Sequence, residues 1–139
     1  MSYGASAALQ AAVWQRLRDD PALSELVGDA IFDAMPVTPP AGVHVALGPE
    51  EVRDAGDVSG AGSRHDFTVS VLAGSDEGAG FGAVKAAAAA VADALDQGQL
   101  ALSQGHLAGL WFLRAVARRS GSGASRQVDL TFRARIDLG

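Results

Sequence analysis

Gln127-Val128-Asp129-Leu130-Thr131-Phe132-Arg133-Ala134-Arg135-Ile136 alternates polar and apolar residues without a break. In an extended chain successive side chains point to opposite faces. Val128, Leu130, Phe132, Ala134 and Ile136 therefore share one face, and Gln127, Asp129, Thr131, Arg133 and Arg135 share the other. Such a strand suits a sheet that is covered on one side and solvated on the other. Just upstream, Arg118-Arg119-Ser120-Gly121-Ser122-Gly123-Ala124-Ser125 is rich in turn formers. Before it, residues 107–118 form another extended apolar run. The chain thus ends in a β-hairpin, with strands over 107–118 and 125–136 and a mobile basic tip between them. The first of these strands is apolar on both faces at Leu110-Trp111-Phe112-Leu113, so it is either central in the sheet or at an interface.

Outward from the hairpin, the alanine-rich segment 81–97 predicts the main helix. Val84, Ala88, Val91 and Leu95 form one stripe, and Gly98 closes it. The alanines let this helix lie close to a sheet. Residues 64–73 alternate as a strand, with Phe67, Val69 and Val71 inward and Asp66, Thr68 and Ser70 outward. Residues 43–47 alternate as another strand. Between them, 48–63 reads as a long polar loop containing Glu50, Glu51, Arg53, Asp54 and Asp57. A loop of that length in a compact domain is usually functional or disordered. At the N-terminal end, Leu9, Val13 and Leu17 recur at helical spacing over 6–18, with Trp14 one position off the stripe. Asp20-Pro21 then supplies an N-cap and a first-turn proline for a short second helix, and Gly28 suits its end. Ile31-Phe32 packs as the chain leaves that helix, and the prolines of 35–42 mark a loop. The order α-α-β-β-α-β-β gives an α+β fold: a four-stranded, mostly antiparallel sheet with the helices packed on one face. The expected organisation is one domain over residues 1–139.

A chain of 139 residues that is 48% hydrophobic can bury a sizeable core. Its aromatic content is only 6%, so a few anchors serve an otherwise aliphatic interior: Trp14, Phe32, Phe67, Phe81, Trp111, Phe112 and Phe132. The formal charge of −5 argues against a dedicated nucleic-acid binder. With no cysteine there is neither a disulfide framework nor a Cys-based metal site, which fits a reducing cytoplasm. The first residues lack the features of a secretory signal, and no apolar run is long enough to span a bilayer.

Motifs for chemistry are weak. Gly78-Ala79-Gly80-Phe81-Gly82 sits where phosphates often bind, but its spacing fits neither a dinucleotide fingerprint nor a P-loop. It reads as a flexible linker opening a helix. His44, His65 and His106 lie far apart in sequence without helical pairing, so solvated or edge-strand histidines are expected rather than a metal site. Ser63, His65 and Asp66 contain the letters of a catalytic triad. As neighbours on an alternating strand they are not expected to converge, which rejects a hydrolase. Glu50, Glu51, Asp54 and Asp57 do not match a calcium-loop spacing. No catalytic residue, metal ligand or cofactor is assigned. What stands out is a charge asymmetry. Arg114, Arg118, Arg119, Arg126, Arg133 and Arg135 make the C-terminal hairpin basic, while acidic residues lie mainly upstream. That suits head-to-tail association or docking on an acidic partner. An ordinary solvated strand face would carry the same residues.

The whole pattern resembles the tail-completion, or tail-terminator, family of long-tailed bacteriophages and gene transfer agents. The residues that carry the resemblance begin with 6–17, SAALQAAVWQRL, and the helix start Asp20-Pro21-Ala22-Leu23. They continue through Leu26-Val27-Gly28-Asp29-Ala30-Ile31-Phe32-Asp33, Pro39-Pro40, the segment 43–48 and Val52-Arg53-Asp54. The strand at His65, the alanine-rich helix, Gly105-His106-Leu107 and Phe132-Arg133-Ala134 complete it. The short glycine-serine tip at 121–124 departs from the more charged turn expected there.

The resemblance implies a structural protein of a particle tail, assembled in the bacterial cytoplasm. It implies a ring of identical subunits, a hexamer, that caps the tail tube, stops its growth and offers a joining surface to the head connector. The implied partners are further copies of the chain, the tail tube protein and connector proteins, with no membrane and no sequence-specific nucleic acid. Arg53, Asp54 and Asp57 of the polar loop, with the six hairpin arginines, are the expected subunit or tube contacts. The loop itself is expected to order when the tube is bound. Another connector or tube subunit is the nearest alternative, and a small phosphate-binding enzyme a more distant one.

Overall fold

A computed structural model of the chain describes residues 3–38, 40–74, 81–96, 100–119 and 125–138. Helix α1 spans Ala5–Asp19 and α2 spans Pro21–Val27. Strands β1 (Ile31–Phe32), β2 (Val43–Asp54) and β3 (Gly62–Ala73) follow, then α3 (Phe81–Asp96), β4 (His106–Arg119) and β5 (Arg126–Asp137). The strands form one sheet in the order β1-β2-β3-β5-β4.

The helix boundaries follow local chemistry. Asp20 caps α2 by accepting a 2.9 Å hydrogen bond from the Leu23 amide, Pro21 occupies the first turn, and Gly28 ends the helix at φ 61°. In α3, Val84, Ala87, Ala88, Ala90, Val91, Ala94 and Leu95 are buried against the sheet and the other two helices. Their small side chains allow close approach. Beneath them lie Phe67, Val69 and Val71 of β3 and Val128, Leu130, Phe132, Ala134 and Ile136 of β5. The Phe67 and Phe132 rings stack at 5.6 Å, and Phe112 meets Phe132 edge-on at 5.8 Å. Leu9, Val13 and Leu17 of α1 and Leu23 of α2 complete the core.

Three expectations are corrected. The sheet has five strands and is mixed, because Ile31 and Phe32 pair in parallel with Val45 and Ala46. A two-residue strand is too short to show a period. The 48–63 segment is not a long loop. β2 continues to Asp54 and pairs antiparallel with β3, leaving only residues 55–61 as the turn. A bulge between Leu47 and Glu50 shifts the register at Gly48-Pro49. That break interrupts the alternation that would have marked the strand. Pro49 is tolerated because β1 covers only Val45 and Ala46, so the rest of β2 is an open edge. Finally, His44 and His65 are buried, not solvated, while His106 is exposed. The glycine-rich segment before Phe81, the residues closing α3 and the tip at 120–124 lie outside the described residues.

Candidate functional site

β4 is the outermost strand on its side of the sheet. It pairs with β5 from His106–Asp137 to Arg119–Arg126, and among the described residues no strand pairs with its other backbone edge, which is open. The sequence left a central or an interfacial position for this strand, and the edge position excludes the first. Every residue from Trp111 to Arg119 is exposed, on both faces. Trp111 is 50% exposed, Phe112 45%, Leu113 42% and Val116 42%. Large apolar side chains on an open strand edge are the usual mark of a protein–protein contact.

Cross-strand register assigns the faces. Phe112, Ala115, Ala117 and Arg119 stand opposite Phe132, Leu130, Val128 and Arg126 on the helix side. Trp111, Arg114, Val116 and Arg118 stand opposite Arg133, Thr131, Asp129 and Gln127 on the uncovered side. Ala108 and Leu113 fall at register shifts, which twist the edge strand locally. Gly109 makes room for the indole: a Cβ there would lie 2.5 Å from the Trp111 ring. The tryptophan ring therefore lies against the backbone two residues back.

The uncovered face carries a polar ladder. Arg133 donates from Nε and Nη2 to the two oxygens of Asp66 at 2.8 and 3.1 Å. This fork holds the Asp66 carboxyl below its usual range and raises Arg133. Asp129 accepts from Gln127, Ser70 and Arg118, and these bonds outweigh the burial that would raise its pKa. Arg135 donates to the Ala55 carbonyl at 2.8 Å. At the β2–β3 turn Asp57 accepts from the amide and hydroxyl of Ser59, which lowers its pKa.

The nine expected contact residues therefore separate into groups. Arg114, Arg118, Arg119 and Arg126 gather along the outer hairpin. Arg133 and Arg135 are half-buried and engaged within the sheet. Arg53, Asp54 and Asp57 are exposed at the far end of the β2–β3 hairpin, where Arg53 pairs with Glu51 at 2.9 Å.

Ser63 and His65 do meet, contrary to expectation. Residues two apart share a strand face, and Ser63 Oγ lies 2.8 Å from His65 Nε2. His65 Nδ1 lies 3.1 Å from Glu50 Oε2, and Ser6 donates to Glu50 Oε1. Asp66 points to the opposite face. The sequence thus missed a hydroxyl–imidazole–carboxylate chain, although alternation from Phe67 back to His65 and Ser63 carried the signal. Ser63 and His65 have no solvent exposure. The space beside Glu50 is about 30 Å³, room for about one water. The chain of bonds ties the start of α1 to the β2–β3 hairpin. Among the described residues no group of His, Asp or Glu could hold a metal ion, and no helix is long and apolar enough to cross a membrane.

Residues 11–137 match the family model described as "Tail completion protein gp17". A solved chain from the "Virion of native gene transfer agent (GTA) particle" is 55% identical and superposes with a TM-score of 0.88. The match covers 98% of this chain and 99% of that one. No curated protein matches it. The chain belongs to the tail completion protein gp17 family and is a structural protein of the tail of a phage-like particle.

Proposed function

We propose that this protein, acting as one domain over residues 1–139, forms a homo-oligomeric ring, read as a hexamer, that caps the tail tube. The ring ends tube polymerisation and presents the joining surface to the head connector. It works through shape and contact and is not an enzyme. The observation that carries the reading is the open β4 edge, with Trp111, Phe112, Leu113 and Val116 between 42% and 50% exposed. A lone monomer gains nothing from that arrangement and risks uncontrolled edge pairing. A closed ring resolves the problem, because each exposed edge is covered by a neighbour and none is left over. Trp and Arg, residue types often found at the centres of binding hot spots, both occur there, as Trp111 with Arg114, Arg118 and Arg119. Arg53, Asp54 and Asp57 at the other hairpin give a second, separate surface for a different partner in the tail.

Electron microscopy of tails made with and without the protein tests the reading. Tubes formed without it are expected to be overlong and headless, and adding it back restores a fixed length and joined heads. Normal length and joining in its absence would overturn the proposal.

A further inference from the structure

We infer that the β4 arm of one copy seats in a specific groove on the helix layer of the next copy; this rests on the ring reading above. The groove, about 720 Å³, lies between the end of α1, α2 and α3. Its lining includes Leu26, Ala86, Ala89, Ala90 and Ala94 together with Asp19, Asp20 and Asp93. Among the described residues Arg16 is the one basic residue in this lining, so the lining is net acidic. The small alanine side chains leave room for large ones from outside.

The arm is the opposite in shape and charge. It projects Trp111, Phe112 and Leu113, and it carries Arg114, Arg118 and Arg119. Arg119 stands directly opposite Arg126, a like-charge pairing that is unfavourable in an isolated sheet. Among the described residues, Arg114 and Arg119 make no ion pair within the chain. Arg119 lies on the helix side of the strand and Arg114 on the uncovered side; an acidic lining brought against Arg119 relieves that repulsion. Both halves of the complementary pair are present on one chain, which points to a second copy as the occupant. The two patches are different surfaces on different layers, so the contact is heterologous. Contacts of that kind run head to tail and close into a ring when the rotation allows.

Charge reversal in pairs tests this in cells whose own copy of the gene is deleted. Arg114→Glu with Arg119→Glu reverses the arm; Asp19→Arg with Asp93→Arg reverses the groove. Each variant alone is expected to lower the yield of joined particles roughly tenfold or more. Co-expressing the two restores yield, because alternating copies match every arm with an opposite groove. A chain carrying all four changes is also restored. Circular dichroism and a thermal melt of each purified variant confirm folding. Wild-type yield from either variant alone overturns the inference. So does failure of both the mixture and the four-change chain to recover, which would assign the arm to a tube or connector subunit. In either case the ring reading stands as long as deletion still gives overlong tubes; only normal tubes on deletion remove that reading itself.

Discussion

β4 and β5 are hydrogen-bonded along their full lengths, and both are rich in apolar residues, yet their surroundings differ completely. In β5 every second residue from Val128 to Ile136 is buried, and the alternate residues carry a polar ladder. In β4 only Leu110 is buried, and the nine residues that follow are exposed on both faces. The difference lies in pattern as well as amount: the five apolar residues of the twelve in β5 strictly alternate, whereas the nine of the fourteen in β4 fall on both faces. Strict alternation assigns one face to the core, so a strand written that way stabilises its own fold. Apolar residues placed on both faces of an edge strand cannot all be satisfied within one chain. They are evidence of a contact that the monomer does not make.

Substitutions can break this contrast from the β5 side with the largest effect. Phe132→Ala removes a ring that is 1% exposed, stacked on Phe67 and met edge-on by Phe112, and is expected to cost about 3–5 kcal/mol. Urea unfolding measures this directly, and a loss below about 1 kcal/mol would show that β5 is not the centre of the core. A smaller loss, about 1–3 kcal/mol, is expected for His65→Ala, which leaves Ser63 and Glu50 without their shared partner. The same variant sharpens the structural assignment of that buried chain of bonds: its particle yield falls only as far as its stability falls.

Acid separates the two strands in another way. Asp66 and Asp129 titrate lower in the folded protein than in the unfolded chain. The unfolded chain therefore takes up protons first, so their contribution is complete above about pH 4 and drains as pH falls further. Unfolding midpoints from pH 6 to pH 2 are expected to drop in that window, and Asp66→Asn with Asp129→Asn flattens the drop. The smallest stability effect belongs to β4. Arg118→Ala with Arg119→Ala is expected to change unfolding by less than about 1 kcal/mol, because these groups are solvent-exposed. It should nevertheless weaken assembly on tubes, read as the fraction of tubes joined to heads in micrographs.

The same contrast explains what could be read in the sequence. β5, β3 and both ends of α2 were legible because period-2 alternation and the Asp20-Pro21…Gly28 signals act locally. β1 was not, since two residues carry no period and Ile31–Phe32 becomes a strand only by pairing with β2. The outer half of β2 was hidden by Gly48-Pro49, where a bulge breaks the alternation. The burial of His65 was available from its position two residues before Phe67, but its partner Glu50 comes from a neighbouring strand and is fixed only by register. The basic character of the C-terminal hairpin was plain from composition. Which of its arginines turn outward was not: Arg133 and Arg135 are drawn into the sheet by Asp66 and the Ala55 carbonyl.

The most direct measurement is tail length and head attachment, by electron microscopy, for a chain carrying Trp111→Ser, Leu113→Ser and Val116→Ser, with its unfolding midpoint confirmed to match that of the wild type. The expected result is overlong, headless tubes from a normally folded protein. Tubes of normal length joined to heads would contradict the claim that the exposed face of β4 exists to meet a partner.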